Sequence, residues 1–438
     1  MELPEYILRC VDALENAGFA VYAVGGCVRD ACLGLTPHDY DLCTAALPEE
    51  TETVFAGHKL VLAGKKHGTV GVVTEGGVVE ITTFRTEGSY ADNRHPDSVE
   101  FVSEIEMDLA RRDFTVNAMA YSPTRGFADP FGGREDLKNH ILRAVGDPAE
   151  RFQEDSLRIL RGVRFAVRFG LTPEPETEKA MVSQSGLMDN LARERVFEEL
   201  CKLLPGVTTE DLLRFAPILV RVIPELGPTV GFDQRSAHHA YDLFTHIAHV
   251  TEAVPGDLEL RWAALLHDIG KVSTFTLDEA GRGHFYGHAG ESAELANGIL
   301  RRLKAPTALR EQVVTLIEKH MTRLEPEKKF LRRWLGKLGW ETMEQLLLLQ
   351  EADMGSKGTG KAENREQFAQ IRTCLAEIKA ENACLSLKDL AVNGHDLMAL
   401  GYSGKAIGEA LNQLLEQVLD DRLPNEREAL LAYTIREL

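Results

Sequence analysis

Two aspartates one residue apart, Asp39 and Asp41, follow a glycine turn, Gly25-Gly26-Cys27-Val28-Arg29-Asp30, and the turn follows the apolar run Val21 to Val24. The order is strand, glycine turn, short helix ending at Gly34, then a second strand carrying the acids. Alternate residues of a strand share a face, so Asp39 and Asp41 are expected to aim two carboxylates at one spot. Two such charges repel unless a cation lies between them. Magnesium fits, because it takes one or two carboxylates and fills its remaining positions with phosphate oxygens and water. Gly25 and Gly26 allow the backbone to approach a phosphate, and Arg29, at the opening of the helix, can pair with phosphate oxygens. A lone Asp-x-Asp or Gly-Gly is common on surfaces; the combination is what constrains the chain.

A length of 438 residues predicts several domains, and 44% hydrophobic residues can form a large core. The formal charge of −19 argues against a diffuse basic coat for nucleic acid, and leaves room for a local basic groove. Met1 to Ala13 carries Glu2, Glu5, Arg9 and Asp12 and lacks the apolar core of a signal peptide, and no apolar run reaches membrane-spanning length. The seven scattered cysteines lack a Cys-x-x-Cys pair and suit reduced thiols in a cytoplasm. No membrane or DNA partner is expected.

Ile7, Leu8, Val11 and Leu14 predict a helix stopping near Gly18. Thr69 to Phe84 reads as a hairpin turning at Gly76-Gly77. Beyond about residue 140 no strand pattern stands out, and helix follows helix. The expected class is therefore α+β: a small mixed head followed by a long helical body. Gly355 to Ala362 imitates a phosphate-binding P-loop, but Ala362 stands at the metal-binding hydroxyl position and no strand precedes it; it reads as a loop between helices.

The returning hairpin strand carries Glu80. A third carboxylate there can hold a metal or accept a hydroxyl proton, although a solvent-facing strand glutamate would read the same. Arg111-Arg112-Asp113 suits phosphate and ribose contacts, or an ordinary charged helix end. Arg158, Arg161, Arg164 and Arg168 fall on one helical face, beside an apolar stripe of Leu157, Leu160, Val163 and Val167. Such an arginine stripe awaits an anion, unless it is a solvated face. The helix is predicted to include Glu154 and Asp155, with Asp155 one turn before Arg158. An acceptor beside a donor matches the amino group and ring nitrogen that cytosine and adenine share, and leaves groups unpaired against guanine and uracil.

Taken together, Gly-Gly-x-Val-Arg-Asp, Asp-x-Asp, Arg-Arg-Asp-Phe-Thr-x-Asn-Ala (Arg111 to Ala118), Asp-Pro-Phe-Gly-Gly (Asp129 to Gly133), Glu-Asp-x-x-Arg (Glu154 to Arg158) and Arg-Glu-Arg-Val (Arg193 to Val196) resemble the class II tRNA nucleotidyltransferase/poly(A) polymerase family, and its bacterial CCA-adding members most. The likeness covers residues 20 to 205 and continues more weakly to the C-terminus through Val392 to Leu397. It implies a DNA-polymerase-β-like head over 1–140, a neck for base recognition over 141–205, a body over 206–360 and a tRNA-binding tail over 361–438. It implies magnesium on Asp39 and Asp41, triphosphate and sugar on Gly26, Arg29 and Arg112, and a base read by Asp155 and Arg158 with Arg161 and Arg164. The partners would be tRNA, CTP and ATP, and C, C and A would be added without a nucleic-acid template. Members that add only C lack a flexible loop after the third carboxylate strand; Glu87 to Pro96 fills that place here. An A-adding enzyme or a poly(A) polymerase would share these motifs.

The helical body holds a second constellation. His267-Asp268, with His246 upstream and Asp353 far downstream, resembles the HD phosphohydrolase pattern. Mixed imidazole and carboxylate ligands suit nickel, cobalt, manganese or iron better than structural zinc. His288 and His320 are candidates for a second metal or a phosphate. Such a site could remove a phosphate or open a 2′,3′-cyclic phosphate at an RNA end. A metallophosphohydrolase with a merely nucleotide-binding head is the alternative from another class.

Overall fold

The computed structural model describes residues 1–88, 99–236, 240–357 and 362–437, which form two compact units, Met1–Pro224 and Glu225–Leu438. The first unit is built on a mixed seven-stranded sheet. Its strands include β1 (Val21–Val24), β2 (Asp41–Thr44), β3 (Leu60–Val61), β4 (Thr69–Thr74) and β5 (Gly77–Thr83), in the order β3-β4-β5-β2-β1, continued by Ala120–Ser122 and Gly126–Ala128. The hairpin β4–β5 turns at Gly76 and Gly77 as the sequence predicts. β2 runs parallel to β5, with Leu42 opposite Ile81 and Cys43 opposite Thr82. That register sets Asp41 and Glu80 side by side on one face, while Leu42 and Ile81 are buried on the other. Val24 and Cys43 join Phe84, Ile105 and Leu109 in a buried cluster.

Two details differ from the sequence reading. β2 begins at Asp41, so Asp39 lies in the segment leading into the strand and not within it. The reason is the neighbour: the ladder ends at the pair Val24–Asp41, because Gly25 turns away with φ 70° to start the helix Gly26–Cys32. Strand pairs also occur beyond residue 140, at Ile141–Leu142 with Thr172–Pro173 and at Thr276–Leu277 with Gly283–His284. Two-residue pairings are too short to leave a periodic signal.

The motif Asp129 to Gly133 is a structural joint. Asp129 accepts the backbone N–H groups of Gly133 and Arg134 at 2.7 and 3.0 Å, Gly132 is left-handed with φ 74°, and a Cβ at Gly133 would lie 2.2 Å from the Thr115 carbonyl oxygen. Farther on, the helix Leu157–Phe169 packs on Phe114. Gly162 permits this, since a Cβ there would meet the Phe114 ring at 2.9 Å, and Phe165 meets that ring edge-on at 5.9 Å.

The second unit is almost wholly helical, as expected. It includes Leu243–Ala253, Leu258–Leu266, His288–Arg302, Thr307–Lys319 and Ala362–Ala380, and the stretch Lys328–Gly355 is two helices joined at Gly339 (φ 76°, ψ 171°). A separate cluster that includes Leu390, Val392, Leu397, Leu414 and Leu430 packs the C-terminal helices. All seven cysteines are free thiols, and among the described residues no helix is long and apolar enough to cross a membrane.

Gly133→Ala is expected to cost about 1–3 kcal/mol, because backbone must move. Gly132→Ala has open space around it and is expected to cost about 1–2 kcal/mol from its left-handed backbone alone. Urea denaturation midpoints of the two variants measure the difference.

Candidate functional site in each unit

In the first unit a cavity of about 440 Å³ collects most of the residues singled out above. Gly25, Gly26, Arg29, Asp41, Arg112, Asp113, Asp155, Arg158, Arg161 and Arg164 all line it. Asp39 and Glu80 are not in its wall but act on its floor. The Asp41 carboxyl is pushed above the usual range by the desolvating walls and by the negative charges of Glu80 and Asp39, with Arg112 opposing. Three mutually repelling carboxylates at an open edge are a fitting donor set for a divalent cation.

Gly25 is glycine for two reasons. It adopts φ 70°, and a Cβ there would lie 2.8 Å from Arg112 Nη1. Arg112 and Arg111 are held by one fully buried acid, Asp108, at 3.2 and 2.9 Å. Arg29, expected at the helix opening, sits one turn in. It donates to Asn117 Oδ1 at 2.6 Å and to Asp30, and its guanidinium lies 4.2 Å from the Phe169 ring centroid.

The arginine stripe does not wait uncompensated for an anion. Each buried member has an acid from elsewhere in the chain or from the turn before it. Arg161 donates twice to Asp113 Oδ2 at 2.8 and 2.6 Å, and Asp113 Oδ1 accepts from Asn117 and from the Phe114 N–H. Burial pushes the Asp113 carboxyl up, but Arg161 and Asn117 outweigh it and bring it down to about 2. Both oxygens of Asp113 are thus engaged within the protein, and it orients Arg161 and Asn117. Arg164 pairs with Glu199 at 2.6 Å, both buried. Arg158 pairs with Glu154 and donates to the Arg151 and Arg111 carbonyls at 3.1 and 2.9 Å.

Asp155 is not on the helix of Arg158. It sits in the break between Pro148–Glu154 and Leu157–Phe169 (φ −137°, ψ 103°), where it accepts the Leu157 N–H and Arg195 Nη2, each at 3.0 Å. Arg111 also lines the cavity. Asn117, Phe165 and Arg195 complete the wall. The sequence reading did not assign them roles. Asn117 and Arg195 lie inside motifs already quoted, but Asn117 meets Arg29, 88 residues away, and Arg195 meets Asp155, 40 residues away, pairings no local pattern carries. The loop from Glu87 to Pro96 falls largely outside the described residues.

In the second unit His246, His267, Asp268 and Asp353 converge, each offering a ligand atom within 4.8 Å of the others. They come from the helix Leu243–Ala253, the end of Leu258–Leu266 and the far end of Lys328–Gly355. His246 Nε2 lies 3.3 Å from Asp268 and 3.1 Å from Asp353; His267 Nε2 lies 3.2 Å from Asp268. Burial works to lower the His246 pKa, but the two carboxylates prevail and raise it to about 9. Asp268 is held well below the carboxylate range against its burial by His267 and Lys271. Gly270 lets this turn pack against the next helix: a Cβ would meet the Ser292 nitrogen at 2.6 Å, and the Gly270 N–H donates to Ser292 Oγ at 2.9 Å.

The Poly A polymerase head domain family matches residues 21–143, the family described as the probable RNA and SrmB-binding site of polymerase A matches 170–226, and the putative domain 2 of tRNA nucleotidyltransferase matches 285–434. A CCA-adding enzyme of Levilactobacillus brevis is 34% identical over 428 residues, 96% of this chain and 95% of that protein. One of Latilactobacillus sakei is 35% identical over 434 residues, 98% and 97% of the two chains. The chain belongs to the CCA-adding enzyme family. A solved member, the Bacillus stearothermophilus CCA-adding enzyme in complex with CTP, superposes with a TM-score of 0.71 at 30% identity, over 99% of this chain and 98% of that one. The α+β head followed by helices is therefore the family's fold. None of the three matched segments contains His246, His267 or Asp268.

Arg164→Met is expected to lose about 3–5 kcal/mol by stranding the buried Glu199 charge, while Arg164→Met with Glu199→Leu recovers most of it. Chemical denaturation of the single and double variants reads the difference.

Proposed function

We propose that this CCA-adding family member adds C, C and A to the 3′ end of tRNA, taking CTP and ATP as substrates and using protein side chains to choose each base. The observation that carries the reading is the single cavity that unites the glycine turn, the carboxylate floor and a wall of fixed arginines with Asp155. Relatives covering nearly the whole chain are CCA-adding enzymes, and one solved member holds CTP.

In this reading the tRNA 3′ hydroxyl attacks the α-phosphorus, the bond to the β-phosphate oxygen breaks and pyrophosphate leaves. Asp39 and Asp41 would hold magnesium, which would neutralise charge gathering on the phosphates. Glu80, beside Asp41 across β2 and β5, would share that ion or take the hydroxyl proton. Gly25 and Gly26 keep the backbone bare of side chain where the triphosphate approaches. Arg29 and Arg112 bring positive charge to it. Arg195 and the Leu157 N–H fix Asp155, and three acceptors fix Arg158. A base therefore meets groups whose orientation is already set, which favours the edge shared by cytosine and adenine. The free thiols suit a cytoplasmic setting.

The buried imidazole and carboxylate cluster favours a second activity. His246, His267, Asp268 and Asp353 would hold nickel, cobalt or manganese, which would polarise a phosphate ester for hydrolysis. A phosphomonoester or a 2′,3′-cyclic phosphate at an RNA end fits this chemistry.

The test supplies magnesium and tRNA lacking CCA, with labelled CTP, ATP or both. The expected product gains C, C and then A. Addition of A alone to tRNA ending in CC would replace this reading with an A-adding enzyme, and unlimited A addition with a poly(A) polymerase. Asp39→Ala is expected to lower addition by roughly 10³-fold or more and to spare phosphate release; His267→Ala is expected to do the reverse. Asp155→Ala is expected to admit UTP more than it weakens triphosphate binding. Unchanged discrimination against UTP in that variant overturns its base-reading role.

A further inference from the structure

The carboxylate floor of the first unit is part of a longer cross-strand row. Val24 pairs with Asp41, Asp41 lies beside Glu80, Glu80 pairs with Gly71, and Gly71 pairs with Val61. Opposed residues of neighbouring strands share a face, and adjacent strands lie about 4.8 Å apart. Gly25, with Arg112 against it and Arg29 one turn on, therefore stands at one end of the row. The acids occupy the middle, and Gly71 and Val61 form the other end. Transfer to phosphorus needs the attacking and leaving oxygens roughly in line. With the leaving pyrophosphate held at the Gly25 end, the attacking hydroxyl must arrive across β5, β4 and β3.

That end of the row is apolar and open. Alternation puts Val78 and Glu80 on one face of β5 and leaves Val79 and Ile81 buried on the other. Val61 and Val78 are 42% and 55% exposed. They come together over Gly71: a Cβ there would meet Val78 Cγ1 at 3.0 Å and Val61 Cβ at 3.1 Å. The half-buried Val73, opposite Val78, shares their face. On the far side of Glu80 the hydroxyls of Thr69 and Thr82 bond to each other at 2.9 Å and close the strip. Glycine keeps its middle low, so a flat group can rest across the two valines.

We propose that Val61, Gly71 and Val78 seat the 3′-terminal nucleoside of the tRNA, its base face on the valines and its 3′ hydroxyl over Glu80. The proposal rests on the reading of Asp39, Asp41 and Glu80 as the transfer site, with which the strip is continuous. The chemistry of repeated addition favours this occupant. The terminal nucleoside differs before each step: the base that precedes CCA, then the first C, then the second. A seat that hydrogen-bonded base edges would reject some of these. Valine offers neither donor nor acceptor, whereas every base has a flat face that packs without regard to sequence. The incoming base is read at Asp155 and Arg158, and the base already in place is held without being read.

The test pairs cross-linking with kinetics on the full chain. A tRNA that lacks CCA and ends in 4-thiouridine is bound to the unsubstituted protein with magnesium, irradiated, digested and mapped by mass spectrometry. The cross-link is expected within residues 60–78. A cross-link confined to other residues overturns the seat, and this arm decides even if the variants do not fold. Val61→Ser with Val78→Ser, checked for native circular dichroism, should raise KM for tRNA about tenfold and move KM for CTP by less than about twofold. The rise should be equal for tRNAs ending before CCA, in C and in CC. An unchanged KM for tRNA, or a rise confined to one terminal base, overturns the proposal. So does a matching rise in KM for CTP, because the loss then lies in the shared floor. If the unsubstituted protein adds no nucleotide, the transfer reading falls and the seat with it; if it adds C, C and A while the seat fails, that reading stands.

Discussion

The first unit depends on burying an arginine-rich helix without leaving its charges exposed to one another. Arg158, Arg161 and Arg164 repeat along one face of Leu157–Phe169, and each meets its own acid: Glu154, Asp113 and Glu199. Guanidinium groups so held lose little further entropy when a nucleotide arrives, because their orientation is set beforehand. Asp113 is the hinge of the arrangement. Through Arg161 on one side and Asn117 on the other it links the neck helix to Arg29 in the glycine-turn helix. The same helix is fixed apolarly, by Gly162 and Phe165 against Phe114. Phe114 follows Asp113 directly, so one short motif supplies both the electrostatic and the packing contact.

The second unit solves a different problem. There, polar groups are withdrawn from water and turned towards each other. His267, His288 and His320 each point Nδ1 at the carbonyl three residues back, which locks the ring and sends Nε2 inward. Two of these sit at helix C-termini and one at a helix start. Helix ends, where backbone carbonyls lack partners, are natural anchors for such rings. Lys271 and Lys357 pair with Asp268 and Asp353, and neither satisfies the inward Nε2 atoms.

Much of this was legible in the residues. The glycine turn, the hairpin carrying Glu80, the helical body and the family likeness each follow from contiguous motifs or short periodicities. Ten of the twelve head and neck residues given a role line one cavity. What escaped was pairing over distance. The arginine stripe read as uncompensated because Asp113 and Glu199 lie 48 and 35 residues away. Asp155 read as helical because nothing local marks the break that frees it to accept Arg195. Asp39 read as a strand residue because the end of β2 is set by where Gly25 leads β1 away, a property of the neighbouring strand.

The sequence by itself determined which chemical groups exist and which must be near each other along the chain: glycines at left-handed turns, acids at strand spacing, arginines at helical spacing. Those are constraints of backbone geometry, and backbone geometry is local. Only the tertiary structure decided which acid answers which base, which face of a carboxylate each imidazole meets, and which groups lose their water. Those outcomes depend on distance and burial, and folding fixes both together.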